Sequence, residues 1–212
     1  RALGRAESIA HAALLGAVSG LPVNGDLEDG FGMTPEACVA TVGAAIAQGL
    51  AGLGIEDTTA DPARPIHDFE AAVGRMSAAA RAARGRILLT GRTDLLLHGR
   101  PDLEQVIRRL VAFAEAGADV LYAPGLPDMD AVERVVRAVA PKPVNVLIGP
   151  GVGLDELARA GVRRVSLGGA LYRRAMAGLK DAAELLRAGD LANALTGAVP
   201  GGDFATCSSF AR

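Results

Sequence analysis

Short runs rich in Val, Ile and Leu alternate along this chain with longer segments whose apolar residues recur at helical spacing. The extended runs fall at 21–27, 52–57, 86–93, 118–124, 143–149 and 163–168. A helical segment follows each, at 34–48, 67–84, 101–116, 128–139, 153–160 and 169–188. The clearest is 101–116, where Leu103, Val106, Ile107, Leu110, Val111 and Ala114 share one face at i, i+3, i+4, i+7 spacing. Pro101 suits its first turn and Gly117 the position just past its end. One further helical stretch, RALGRAESIAHAALLGAV, stands ahead of the first strand.

Strict alternation of strand and helix predicts parallel strands joined by right-handed crossovers, which is the α/β class. Parallel strands covered on both faces should be almost continuously apolar, as ILL, VLY and VNVLI are. Two architectures satisfy the alternation, an open doubly wound sheet and a closed (β/α)8 barrel of the TIM type. An open sheet usually carries a glycine-rich phosphate turn after its first strand, and no GxGxxG or GxxxxGK[ST] opens a helix here. Polar residues instead close one strand after another: Asp26 and Glu28, Glu56 and Asp57, Arg92 and Asp94, Tyr122, Asn145, Ser166. In a barrel those ends converge on the rim that carries the active site. Six strand–helix units and a leading helix fall short of the eight units and about 250 residues of such a barrel. The expectation is therefore a barrel domain over 1–188 whose first two strands lie upstream of Arg1, followed by a C-terminal tail or arm over 189–212.

Composition narrows the function. The 212 residues carry 22 Lys and Arg against 24 Asp and Glu, a net charge of −2, interspersed rather than in blocks. No basic stripe offers itself to phosphates, which sets nucleic acid aside as a partner. No apolar run approaches the roughly 18 residues of a membrane span, so no membrane partner is expected. Aromatics make up only 3% and Trp is absent, which leaves little for stacking on bases or sugars. Cys38 and Cys207 lie far apart with no signal-peptide pattern at the start, which points to a cytoplasmic location.

The most informative stretch is Asp26-Leu27-Glu28-Asp29-Gly30-Phe31-Gly32. Asp26 and Glu28, two apart at a strand end, point the same way, and Glu56 ends the next strand. Three carboxylates brought together raise one another's pKa, and a hard divalent cation is the simplest compensation. An all-oxygen set favours Mg²⁺, or Mn²⁺ in its place, over zinc. The same acids serve equally well as helix caps or as partners of Arg92. Arg92, in TGRTD, has the planar fork that binds a carboxylate or phosphonate bidentately, and a structural ion pair to Glu56 or Asp94 is the alternative. Ser166 to Gly169 end the last strand and open a helix, so their amides suit an anion, or the small residues merely permit close packing. Asn145, inside an apolar strand, must find partners and is a candidate substrate contact or a satisfied core amide. His11, His67 and His98 show no metal-ligand spacing. Only His67, in the loop after Glu56-Asp57, is placed to take part, and a surface position is the commoner state of such a residue. Cys38 falls within a helix, away from the strand ends, and reads as core.

The stretches PVNGDLEDGFG, AGLGIEDTT, LLTGRTDLLLHGRPDLEQVIRRLVAFAEAGADVLYAPGL, PVNVL and LARAGVRRVSLGGALYRRA resemble, in the same order, the isocitrate lyase/phosphoenolpyruvate mutase superfamily. The similarity runs from about residue 1 to about residue 187. It implies a (β/α)8 barrel, usually a homotetramer that exchanges its last helix between subunits. It also implies a Mg²⁺ site for small anionic 2-oxo or 2-hydroxy acids, which react through a pyruvate-like enolate held by the metal. Asp26 matches the direct metal ligand of the family's Asp-x-Asp-x-Gly-Tyr-Gly motif, with Glu28 in place of the second Asp and Phe31 in place of Tyr. Glu56 matches the acid that holds the metal through water, and Arg92 the arginine that binds the substrate's carboxylate or phosphonate. The gating loop departs from the pattern. It reads TTADPARPIHDFE, without the Lys-Lys/Arg-Cys-Gly-His of the isocitrate-cleaving branch and without the Lys and Asn of the mutase branch. Thr58, Thr59 and His67 are the loop groups left as acid or water-positioner. What survives implies a Mg²⁺-dependent lyase cleaving a C–C bond of a small 2-oxo or 2-hydroxy (di)carboxylic acid. The alternatives are C–P chemistry on a phosphonopyruvate-like substrate and a non-catalytic binding or assembly subunit.

Overall fold

The computed structural model describes residues 3–149, 151–200 and 202, and the chain divides into two compact units, Arg1–Ser166 and Leu167–Arg212. In the first unit α1 (Arg5–Ser19) leads five strand–helix repeats and a sixth strand: β1 (Asn24–Asp26), α2 (Pro35–Ala47), β2 (Gly52–Glu56), α3 (Phe69–Ala83), β3 (Leu88–Arg92), α4 (Leu103–Ala116), β4 (Val120–Tyr122), α5 (Met129–Val139), β5 (Val144–Leu147), α6 (Leu154–Arg159) and β6 (Arg164–Ser166). The second unit contains α7 (Ala170–Arg187) and the short α8 (Leu191–Ala194) inside the stretch expected as tail or arm. No described helix is long and apolar enough to cross a membrane.

The six strands form one parallel sheet in chain order, β1 to β6. A doubly wound sheet must reverse its strand order somewhere to place helices on both faces. This sheet never reverses, and the consecutive helices α2, α3, α4 and α5 pack side by side. Right-handed crossovers then put all of them on one face, which is the curled half of a barrel. Local chemistry sets the helix starts. Thr34, Asp102 and Asp128 cap α2, α4 and α5, each side chain accepting the backbone N–H three residues on. Pro101 thus lies ahead of the Asp102 cap rather than in the first turn, whereas Gly117 ends α4 in the left-handed conformation as the pattern implies.

The strands are less uniformly apolar than two covered faces require. Leu53, Ile55, Leu89, Leu121, Val144 and Val146 face the helices and are buried. The alternate positions, which include Asn24, Asp26, Glu56, Thr90, Arg92, Tyr122, Asn145, Arg164 and Ser166, fall on the opposite, inner face. Alternation of this kind belongs to a sheet with helices on one side only, and it gives the inner face a polar lining. The helix-side core is aliphatic, with Phe113 as its largest fully buried side chain, and Cys38 is fully buried in it. Cys207 lies outside the described residues.

Gly91, on the helix side of β3, is packed closely against side chains of α3 and α4. A Cβ there would meet Ala118 Cβ at 3.1 Å, Phe113 Cβ at 3.2 Å and Met76 Cε at 3.3 Å. Gly91→Val is expected to lower the unfolding free energy by about 1–3 kcal/mol through overpacking. Urea denaturation reads this directly, and an unchanged midpoint would mean that the two helices are free to move outward.

Candidate active site

At the C-terminal ends of the first three strands, Asp26 stands in register with Gly54, and Glu56 with Arg92. Arg92 gathers the acids around itself. Its Nε and Nη2 donate to both oxygens of Asp94, at 2.6 and 2.8 Å. Its Nη1 lies 3.1 Å from Asp26 Oδ2 and 3.2 Å from Glu56 Oε2. The Tyr122 ring lies 5.3 Å from the guanidinium. Both expected partners of Arg92, Glu56 and Asp94, are therefore present, and Asp26 joins them. Burial is the largest effect on Glu56, and with the neighbouring Asp94 it pushes the carboxyl up to about 7 against the pull of Arg92. Thr58 Oγ1 donates to Glu56 Oε1 at 2.7 Å, which makes it the loop hydroxyl that reaches the cluster.

The loop after β1 is strained, and its neighbours hold it in place. Glu28 and Phe31 both have positive φ, 49° and 61°, a conformation that L side chains adopt at a cost. Glu56 N–H donates to Glu28 O at 2.9 Å, and Thr41 Oγ1 to Gly30 O at 2.6 Å. The buried Arg75, reaching over from α3, donates to the carbonyls of Asp29 and Gly32. Arg75 had no signal in the sequence, since its two acceptors lie more than forty residues upstream and no spacing rule links them.

A cavity of about 270 Å³ opens beside the cluster, lined by Asn24, Asp26, Gly54, Thr90, Arg92, Tyr122, Asn145, Arg164, Val165 and Ser166. Gly54 has only Gly25 O, at 3.9 Å, near where a Cβ would stand, so the floor next to Asp26 is open. Asn145 Nδ2 donates to Ser166 Oγ at 2.8 Å, and Ser166 is also hydrogen-bonded to Tyr122. Asn145 Oδ1 and Thr90 Oγ1 are buried without a partner. The two candidate substrate contacts, Asn145 and Ser166, thus share one cavity with Arg92 and Asp26.

No three metal-ligating side chains gather into a closed cluster among the described residues. Asp26 and Glu56, both within 3.2 Å of one Arg92 nitrogen, are the part of a donor set already in place. Two carboxylates on one side suit Mg²⁺, which keeps most of its waters, better than an ion that requires a full protein cage. A bound cation would also favour the ionised form of Glu56, against the burial and the neighbouring Asp94 that raise its pKa.

His67 sits elsewhere. It is 8% exposed rather than on the surface. It lines a different cavity of about 300 Å³, together with Met33, Thr59, Arg64, Phe69 and Arg109. Its carbonyl accepts from Arg109 Nη2 at 2.8 Å, and its Nε2 is buried without a partner. Burial, and then the charge of Arg75, lower its pKa. Asp57, next to Glu56 in sequence, points away from the cluster as a strut. It accepts from Thr93 Oγ1 at 2.7 Å, Asp94 N–H at 2.9 Å and Arg109 Nη1 at 3.0 Å.

The sequence matches the pattern of phosphoenolpyruvate phosphomutase over residues 1–187. Among solved structures it is similar to a Burkholderia cenocepacia J2315 protein described as a lyase/mutase, with 45% identity and a TM-score of 0.90 over 96% of this chain and 75% of that one. A second protein of the same organism, described as a phosphonomutase, is 32% identical with a TM-score of 0.76, over 87% of this chain and 78% of that one. At 24% identity, 2,3-dimethylmalate lyase, a PEP mutase/isocitrate lyase superfamily member, shares the fold with a TM-score of 0.83 over 97% of this chain and 74% of its own. No curated protein matches the chain.

Proposed function

The chain belongs to the phosphoenolpyruvate phosphomutase family, within the PEP mutase/isocitrate lyase superfamily, and from that premise we propose that it is a lyase dependent on Mg²⁺ or Mn²⁺. In this reading it cleaves a C–C bond of a small 2-oxo or 2-hydroxy (di)carboxylic acid, inside a (β/α)8 barrel that includes two strands besides the six described. The observation that carries it is the meeting of Asp26 and Glu56 at one Arg92 nitrogen, at the mouth of a polar-lined cavity.

Asp26, Glu56 and Glu28 would hold the cation, with Asp26 in direct contact. When bound, the cation supplies Lewis acidity toward the negative charge that develops on a 2-oxo acid. Arg92, fixed from below by Asp94, keeps the two carboxylates in position and adds its own positive field to the anionic end of the substrate. Asn145 and Ser166 offer neutral polar contacts along the cavity wall, with Asn145 Oδ1 free to accept. Thr58, in contact with Glu56, is placed to position water or pass a proton at the cluster. His67 would act only if its loop moved it from one cavity to the other. A homotetramer that exchanges its final helix is the assembly in keeping with this reading.

Family membership and the likeness to a protein described as a phosphonomutase also favour C–P cleavage of a phosphonopyruvate-like substrate. The absence of Lys and Asn from the loop TTADPARPIHDFE weighs against that second reading. Release of phosphate rather than a carbonyl fragment distinguishes the two.

Oxalate, which mimics the pyruvate enolate left by either cleavage, provides the test. Calorimetry is expected to show oxalate binding that requires Mg²⁺ and weakens at least tenfold in Asp26→Asn. The Asp26 side chain is 71% exposed, so this variant should keep its unfolding midpoint. Metal-independent binding, or none, would sink the lyase reading and favour a binding or assembly subunit.

A further inference from the structure

The guanidinium of Arg92 is occupied on every side. Asp94 takes Nε and Nη2, Asp26 and Glu56 share Nη1, and the Tyr122 ring stands against it. Three carboxylates around one arginine leave that end of the cavity with excess negative charge. It suits a cation well, and in this arrangement each nitrogen of the Arg92 guanidinium already faces a carboxylate.

The opposite wall has the reverse character. Glu56, Arg92, Tyr122, Asn145 and Arg164 form one register row across β2 to β6 on the inner face of the sheet. Arg164 closes that row and lines the same cavity as Arg92 and Asp26. It is only partly exposed, and no acidic side chain pairs with it among the described residues. Its neighbours in the cavity wall are Tyr122, Asn145 and Ser166, all uncharged at neutral pH. Burial pulls its pKa below the ordinary arginine value, yet an arginine remains charged at neutral pH. A half-buried cation without a counter-charge is costly, and function is the usual reason to keep one. The wall beside it offers Asn145 Oδ1, 1% exposed by residue and with no partner. Three strand spacings, about 14 Å along the sheet, separate the backbones of Arg92 and Arg164. Arg92 already reaches the carboxylates of Asp26 and Glu56, so a short diacid has to span only from a cation at that pair to the long side chain of Arg164.

We propose that Arg164 binds the distal carboxylate of the substrate, and so makes the cavity specific for small dianions over monoanions. This rests on the lyase reading for which end of the substrate faces Asp26 and Glu56. Arg164 is a binding residue in this role, and its fork, with no acidic partner among the described residues, is open to a bidentate contact with a carboxylate.

The probes are L-malate and L-lactate, 2-hydroxy acids that differ in the second carboxylate, titrated by calorimetry with and without Mg²⁺. The wild type should prefer malate. In Arg164→Met, malate should bind roughly ten- to a hundredfold more weakly, while lactate changes by less than about twofold. Arg164→Lys keeps the charge and should restore part of the malate preference, and it serves as the readout if the Met variant does not fold. Equal loss of both ligands, an unchanged malate affinity, or a wild type that binds neither or does not distinguish them would overturn the assignment. The lyase reading is judged separately, by the metal dependence of oxalate binding. If that dependence is missing while the malate preference still requires Arg164, the lyase reading fails and the Arg164 assignment stands.

Discussion

Asp57→Ala is expected to lower the unfolding free energy by about 3–5 kcal/mol, the cost of leaving a buried charge without its partner. The Asp57 side chain is 1% exposed and that of Arg109 is 7%, so little water would reach the abandoned guanidinium. Burial, with a smaller push from the charge of Asp94, raises the Asp57 carboxyl, and the Asp94 N–H, the Thr93 hydroxyl and Arg109 pull against it. These same contacts tie the end of β2 to the end of β3 and to α4. Removing the carboxylate therefore releases Arg109, Thr93 and the backbone of Asp94 together. Because Asp94 fixes Arg92, oxalate binding should also weaken in whatever fraction remains folded. Asp57→Asn keeps the acceptor oxygen and most of the shape, and should cost clearly less than the alanine variant. Urea unfolding of both variants is the check, and a loss below about 1 kcal/mol for Asp57→Ala would show that the strut is not structural.

The alternation of elements was legible because it depends on local periodicity, and each of the six repeats has its strand and helix close to the expected bounds. Asp26, Glu56 and Arg92 were legible as a group because strand ends in a barrel share a rim. What escaped depends on phase and on distance. Glu56 and Asp57 are adjacent, and one step along a strand reverses the side chain, so the pair divides into a site residue and a strut. In Arg163-Arg164 the same parity sends only Arg164 to the inner face, and no composition argument distinguishes the two. The strut's partner Arg109 lies 52 positions further on, and the clamp Arg75 lies 46 from Asp29, beyond any helix or strand period. The loop position of His67 implied exposure, yet packing of α4 against the loop buries it, since Arg109 crosses to its carbonyl.

Glu56→Gln should stabilise the metal-free protein at pH 8 while abolishing metal-dependent oxalate binding. The Glu56 carboxyl has an ordinary value of 4.5 and is pushed up to about 7 in the folded protein, chiefly by burial. Between those two values the folded chain retains a proton that the unfolded chain has released. Stability therefore falls as pH rises through this window, by about 3 kcal/mol from this residue alone once pH exceeds 7. Below pH 4.5 both states hold the proton and the penalty vanishes. Glutamine resembles the protonated side chain at every pH, so the variant should match the wild type near pH 4 and exceed it at pH 8. Urea unfolding in the presence of a chelator measures that difference, and the same gap at both pH values would contradict it. Adding Mg²⁺ should narrow the gap by stabilising only the wild type, because a cation beside Glu56 favours the ionised form. The residue that weakens the empty site is then the one that makes the site bind.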